Sequence, residues 1–372
     1  MHMQQIHIYN EYMSTERNAF TPFHILVTGG AGFIGSNFVH YIAKYHPEVA
    51  ITVLDSLTYA GNIANLYGLP QNFANNQYAF IHGDIRDTNL VNQLLNPRTQ
   101  HTTAAGISMP AIDAIVHFAA ESHNDNAIEY SDPFLSTNIL GTQVLLDAAR
   151  KYNIRFHHVS TDEVFGDLPL DSPLSCNEES PYRPSSPYAA SKAASDHLVR
   201  AWSRTYGLRA TISCSGNNYG PRQHIEKFIP RQITNIMCNM PAKLYGNGDS
   251  VRDWIQVEDH CDAIWRILTR GTICETYLVG AQCEMSNRDV LRMLLPIMGV
   301  SETNVVHVQP RPGEDRKYSL NSTKIRTQLE WEPQHTHFQQ GLQETIAWYA
   351  SHADLWKPIK AQVEQHYAAL GH

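Results

Sequence analysis

The stretch HILVTGGAGFIGSNF, residues 24–38, decides the fold. A β-branched run ends in glycines, and Phe33, Ile34, Phe38 and Ile42 then recur at helical spacing. A second run, AITVLDS at 50–56, completes strand, glycine turn, helix and strand, a βαβ unit. Parallel strands need such a crossover. The alternation continues with YAFIHGD at 78–84, a helix near 87–95, DAIVHFAA at 113–120, a helix around 133–152, FHHVSTDEVFG at 156–166 and a helix from Tyr188 to Tyr206. Near-continuous apolar strands of this kind are buried on both faces. The expected architecture is an α/β, doubly wound parallel sheet of Rossmann type over 23–215. A smaller C-terminal α/β substrate lobe is expected over 216–372, with segments returning to the core. The 96–111 segment reads as a surface loop, 167–187 as a proline-rich irregular stretch between two candidate motifs, and 338–351 as the last helix. Residues 1–22 read as a tail outside the fold, without the basic and apolar blocks of a signal peptide, and Met13 is an alternative start.

Composition narrows the function. The chain has 372 residues, 42% hydrophobic and 17% charged, enough for one large α/β domain or two cooperating lobes. A net charge of −8, with no dense run of Lys or Arg, argues against nucleic acid as a partner. No apolar stretch is long enough to span a membrane. The six cysteines include no CxxC pair, so neither a disulfide framework nor a zinc site is expected and a reducing cytoplasm fits best. Twenty histidines invite a metal reading at His157-His158 or His335/His337, yet no carboxylate-supported ligand spacing accompanies them, and no metal is expected.

Gly29, Gly32 and Gly35 follow the first strand as G-x-x-G-x-x-G. Glycine is needed where the turn is tight, where backbone nears a pyrophosphate and where helix packs on strand. The helix start then offers free N–H groups to phosphate. Asp55 ends the second strand, where a carboxylate accepts from the adenosine ribose hydroxyls and repels a 2′-phosphate, so NAD is the expected cofactor. Asp84 and Ile85 end the next strand and either frame the adenine or cap a turn.

Tyr188 and Lys192 stand four apart on one helix face. A phenol of ordinary pKa about 10 is a poor base. A neighbouring ammonium is expected to lower it, with further help from a nicotinamide's positive charge. Ser160-Thr161-Asp162-Glu163 closes a strand at the end where doubly wound sheets hold ligands. Two adjacent carboxylates there are costly unless used or well paired.

The strings VTGGAGFIGSNF, LDSLTYAGN, HFAAESH, RFHHVSTDEVFGDL, SPYAASKAASDHL, NNYGP, EKFIPRQIT, VRDWIQVEDH and RPG-x-DR-x-Y together resemble the dTDP-glucose 4,6-dehydratases, extended short-chain dehydrogenases/reductases. The resemblance runs from about residue 24 to the C-terminus. It implies oxidation at C4 of a dTDP-glucose unit, loss of water across C5 and C6, and hydride return to C6. Tyr188, supported by Lys192 and Thr161, takes the C4 hydroxyl proton; Glu163 takes the C5 proton; Asp162 protonates the leaving C6 hydroxyl. Asp162 must therefore be protonated at neutral pH, well above the ordinary value of about 3.9. The resemblance further implies cofactor contacts from Gly29, Gly32, Phe33, Ile34, Gly35, Asp55, Ser56, Leu57, Thr58, Asp84, Ile85, Ala119, Ala120, Thr137, Tyr188, Lys192 and Asn218. Substrate contacts are implied for Ser122, Thr161, Asn217, Lys227, Arg252 and Asn287. It also implies a homodimer pairing through the 133–152 and 187–206 helices, and a place in dTDP-rhamnose or other deoxysugar biosynthesis.

The chain departs from the family pattern at Cys214, where an asparagine is usual, and at Glu314, where a histidine is usual. Cys214 is expected to loosen the hydrogen bonds near the cofactor, and Glu314 to disfavour a nearby diphosphate. Asn124, Asn126 and Ala127 also stand where many members carry other residues. The competing readings are a sister epimerase or decarboxylase, against which Asp162-Glu163 argues, and a non-catalytic NAD-binding scaffold, supported only by Cys214 and Glu314.

Overall fold

The structure, a computed structural model, describes residues 19–310 and 313–369. Its strands in chain order are β1 (His24–Thr28), β2 (Ala50–Asp55), β3 (Tyr78–His82), β4 (His101–Thr102), β5 (Ser108–Met109), β6 (Ala114–His117), β7 (Arg155–Thr161), β8 (Ala210–Ser215), β9 (Asn217–Tyr219), β10 (Ala242–Tyr245), β11 (Val251–Gln256), β12 (Thr276–Val279), β13 (Glu284–Ser286) and β14 (Val305–Val308). Seven of them form one sheet in the order β12-β8-β7-β6-β1-β2-β3, parallel at every pairing. Period-2 alternation sorts the strand residues onto two cores. Leu26, Leu54, Ile115, Phe156 and Ile212 pack on one face, and Ile25, Val27, Ile51, Val53 and Val116 on the other.

The chain reverses direction across the sheet between β1 and β6, and the crevice outside the carboxyl ends of those strands is where such sheets hold ligands. β12 brings the second half of the chain back into this sheet beside β8. The same half adds a small sheet, β13-β11-β9, whose β11 lies parallel to β9, pairing Trp254 with Asn217 and Ile255 with Asn218.

Several sequence expectations are corrected here. Phe20 already belongs to the fold: its N–H donates to the Thr269 carbonyl at 2.8 Å and its ring lies 5.1 Å from the Arg155 guanidinium. Residues 1–18 of the expected tail, Met13 included, lie outside the described residues. The 96–111 loop carries the short antiparallel pair β4-β5. The 338–351 helix is followed by another, Ala353–Ala369, whose Trp356 and Tyr367 are buried. Tertiary packing decides that last helix, because its apolar positions are too few to announce it alone.

Trp331 is fully buried among Ile255, Ile267, Tyr277 and Val279, and its indole N–H donates to the Asp259 carbonyl at 3.1 Å. Trp331→Ala should cost about 3–5 kcal/mol of stability, measured by denaturant unfolding; a loss below about 1 kcal/mol would contradict this packing.

Candidate active site

One cavity of about 700 Å³ opens along the carboxyl ends of the strands. At one end the β1 turn leads into the Phe33–Tyr45 helix, whose Gly32 N-cap provides no side-chain cap and so leaves the helix N–H groups to a ligand. Gly29 has φ +69°, and a Cβ built there would lie 2.6 Å from the Ala119 nitrogen. A Cβ on Gly35 would run into the Gly29 carbonyl. Both glycines thus keep backbone close to backbone beneath the cradle. Asp55 accepts from Ala31 N–H and Leu57 N–H, each at 2.8 Å, which fixes its carboxylate at the cavity edge with lone pairs to spare. Burial pushes its carboxyl up, and those two backbone donors pull it back. Asp84 is held by Arg86 at 2.6 Å, which draws its carboxyl below the usual range. These groups fit a dinucleotide without a 2′-phosphate.

At the other end, β7 delivers Thr161 and a single 3₁₀ turn, Asp162–Phe165. Thr161 caps that turn, accepting from Glu163 N–H at 3.3 Å and donating to Asp162 Oδ1 at 3.2 Å. Asp162 is 3% exposed and its Oδ2 has no hydrogen-bond partner. Burial, then the Glu163 charge, pushes its carboxyl well above the usual range. Burial raises Glu163 as well, but a hydrogen bond from Asn124 Nδ2 at 3.0 Å opposes it, helped by Arg252 and Lys227.

The Pro187–Tyr206 helix starts at the Ser186 cap, whose Oγ accepts from Ala189 N–H at 3.1 Å, and projects Tyr188 and Lys192 into the cavity. The expected lowering of the phenol by Lys192 is not found. Lys192 Nζ donates to the Val159 carbonyl at 2.8 Å and lies 3.4 Å from His158 Nε2. Burial and the charges of Glu163 and Asp162 push the Tyr188 phenol up, with a Thr161 hydrogen bond working the other way. Burial also brings Lys192 down to about 8.

The cavity wall joins Gly29, Gly32, Phe33, Ile34, Gly35, Asp55, Ser56, Thr58, Asp84, Ile85, Ala119, Ala120, Ser122, Thr137, Thr161, Asp162, Glu163, Tyr188, Lys192, Asn217, Asn218 and Lys227. Asn217 Oδ1 is buried without a partner, and Lys227 Nζ donates to the Ser122 carbonyl at 2.8 Å. Leu57, Arg252 and Asn287 stand off this wall. Leu57 acts through its N–H on Asp55. Arg252 donates to the Val251 and Asp315 carbonyls at 2.9 and 3.0 Å, with Tyr318 stacked 4.4 Å away. Asn287 N–H is bonded to the Ser250 carbonyl at 3.0 Å.

The two departures from the family pattern also find places. Cys214 is fully buried in β8 and off the cavity wall, its Sγ 4.0 Å from Asp196 Oδ2, while its strand neighbours Ser160 and Ser215 line the cavity. Glu314 accepts from Ser250 Oγ at 3.0 Å and lies 4.0 Å from Arg252, so its charge faces the guanidinium.

Glu121, His224 and Glu226 line the cavity although the sequence reading singled out none of them. Burial alone would raise Glu226, but His123, His224 and Lys227 bring it down to about 2. Its place next to Lys227 in EKFIPRQIT was the signal available. Glu121 had no such signal, since the Asn138 amide that braces its backbone on both sides, at 2.8 and 3.0 Å, is remote in sequence.

The family described as GDP-mannose 4,6 dehydratase matches residues 26–345. The chain is 50% identical to a dTDP-glucose 4,6-dehydratase of Mycolicibacterium smegmatis, over 93% of this chain and 99% of that one. It is 48% identical to one from Mycobacterium tuberculosis, with 93% and 99% covered. Among solved structures it is similar to DesIV, a dTDP-glucose 4,6-dehydratase of Streptomyces venezuelae with NAD and TYD bound, at 44% identity and TM-score 0.83, with 90% of this chain and 99% of that chain covered.

Gly29→Ala tests the cradle. Alanine at positive φ costs about 1–2 kcal/mol before any clash with Ala119, so dinucleotide released by acid from the purified protein should fall by roughly tenfold or more. Unchanged content would contradict the cradle.

Proposed function

The chain belongs to the dTDP-glucose 4,6-dehydratase family, and from that premise we propose that it is an NAD-dependent hydro-lyase converting dTDP-glucose to dTDP-4-keto-6-deoxyglucose and water. The observation that carries this reading is one wall bearing Thr161, Asp162, Glu163, Tyr188 and Lys192 in the same cavity as the glycine cradle and Asp55. Bound there, NAD supplies the acceptor for the C4 hydride and the donor that returns it at C6.

The chain's own groups move the protons. Tyr188, steadied by Thr161 and with Lys192 one helical turn away, takes the C4 hydroxyl proton. The 4-ketone acidifies C5–H, and Glu163 takes that proton. Asp162 gives its proton to the C6 hydroxyl as it leaves as water, and as hydride returns to C6 the C5 carbon takes a proton back from Glu163. The scheme needs one neutral and one ionised carboxyl side by side, and the unequal surroundings of Asp162 and Glu163 support that division. Asn217, Lys227, Arg252 and Asn287 are proposed to hold the substrate diphosphate, Ser122 and Thr161 to contact the sugar, and Leu57 and Asn218 to join the cofactor contacts.

A cytoplasmic homodimer in deoxysugar biosynthesis completes the proposal. The six cysteines are unpaired, which suits a reducing compartment, and no described helix is long and apolar enough to cross a membrane. Leu135, Leu140 and Tyr206 lie exposed on the helical run 132–152 and the Pro187–Tyr206 helix, surface that a second copy would cover.

Incubation with dTDP-glucose and with UDP-glucose, followed by mass analysis, should show loss of one water from the dTDP sugar. Asp162→Asn should keep C4 oxidation, seen as transient NADH absorbance, and slow water loss by about 10²–10⁴-fold. The sign of the pH dependence follows from the upward shift: Asp162 is an acid only below its raised pKa, so elimination falls as pH rises through that value, and Asp162→Asn should lose this limb. Full dehydration by the double variant Asp162→Ala, Glu163→Ala would sink the assignment.

A further inference from the structure

Asn124 begins the Asn124–Glu129 helix, 39 positions before the carboxylate it touches. Its Nδ2 donates to Glu163 Oε2 at 3.0 Å, and its Oδ1 accepts from Ser186 Oγ at 3.0 Å. Ser186 Oγ in turn accepts from Ala189 N–H, which leaves the hydroxyl hydrogen to donate. The relay runs one way, from helix N–H through hydroxyl and amide to carboxylate. It ends on a group that must accept, which an ionised carboxylate does at both oxygens and a protonated one does not. The relay also ties Glu163 to the first turn of the helix that carries Tyr188.

We propose that Asn124 is a positioning residue for the C5 proton transfer: its amide, oriented by Ser186, holds Glu163 Oε2 and leaves Oε1 to take the proton. The proposal rests on the dehydratase reading and adds to it a residue at which the chain departs from its family pattern. Glu163 has charged and titratable neighbours on every side. Asp162 comes from its own turn, Tyr188 from the Pro187–Tyr206 helix, Lys227 from the start of the Phe228–Met237 helix, Arg252 from β11, and Asp315 and Tyr318 from the segment after Gly313. The two cations favour the charged base and the carboxylates oppose it. Asn124 supplies the largest single opposition to burial without adding charge to the cavity.

The test is deuterium incorporation at C5 of the product against pH, with transient NADH absorbance reporting C4 oxidation in the same samples. In Asn124→Leu, loss of a donor to the charged form raises the Glu163 pKa. The acid limb of C5 transfer should therefore move up by about one pH unit, while KM and C4 oxidation stay near those of the unaltered protein. Asn124→Gln, which keeps an amide, should move the limb back toward its original place. Ser186→Ala removes the amide's anchor, not the amide, and should give a smaller shift of the same sign, which covers the case of a leucine variant that fails to fold. A uniform fall in rate with the limb unmoved, in either the leucine or the alanine variant, overturns the proposal and makes Asn124 a packing residue. No product from the unaltered protein would overturn the dehydratase reading and the proposal with it.

Discussion

Asp162 and Glu163 are consecutive carboxyl groups on the wall of one cavity, and burial pushes both carboxyls up, which disfavours two charges side by side. The local hydrogen bonds treat the two unequally. Asp162 has one long bond with Thr161 and a bare Oδ2, whereas Glu163 receives the Asn124 amide and stands nearer in effect to Lys227 and Arg252. That asymmetry favours the charged form at Glu163 more than at Asp162. Neither side chain has an unusual intrinsic chemistry; the 3₁₀ turn capped by Thr161 puts both on the cavity wall and brings only Glu163 to the Asn124 amide.

The turn keeps its place because the strand beneath it is pinned to the Tyr188 helix. Asp196, fully buried on that helix, accepts from Ser160 Oγ at 2.9 Å and Tyr182 OH at 2.8 Å, and lies 3.2 Å from His158 Nε2. Despite burial, His158, Lys192 and Tyr182 hold its carboxyl below the usual range. A buried carboxylate paired in this way is costly to break, since any partner removed leaves a charge without solvent. Cys214 sits against this cluster, and burial, then the Asp196 charge, keeps its thiol neutral. The asparagine-to-cysteine departure therefore bears on the anchor of the Pro187–Tyr206 helix.

What could be read from the sequence was local. The βαβ unit, Asp55 at a strand end, the Thr161-Asp162-Glu163 triple and the Tyr188/Lys192 spacing each lie within a few residues on one element, where periodicity fixes direction. What could not be read depends on remote neighbours. Lys192 is held by the Val159 carbonyl and lies beside His158, and the spacing of four says nothing of those partners. Arg252 is turned to backbone carbonyls by a strand pairing with β13 and a segment some sixty residues later, not by its own motif. The Asn124 contact spans 39 positions, and the helix Ala353–Ala369 becomes visible only once Trp356 and Tyr367 have a core to enter.

That last helix bears on the cavity from behind. Tyr367 donates to the Glu226 carbonyl at 2.7 Å, and its ring lies 3.5 Å from the Arg231 guanidinium, itself paired with Glu364 at 2.9 Å. Glu226 thus has its backbone fixed from one side while His123, His224 and Lys227 fix its charge from the other. Beside it, burial and that same Glu226 charge push the Glu121 carboxyl up. The Arg and Lys side chains on the described wall, Arg86, Lys192 and Lys227, each already face a carboxylate of the chain: Asp84, Asp196 and Glu226. With a net charge of −8 overall, the protein offers anions no general field. To engage any of these three cations an anionic ligand must displace a carboxylate or carbonyl at the right distance, so selection at them is geometric before it is electrostatic.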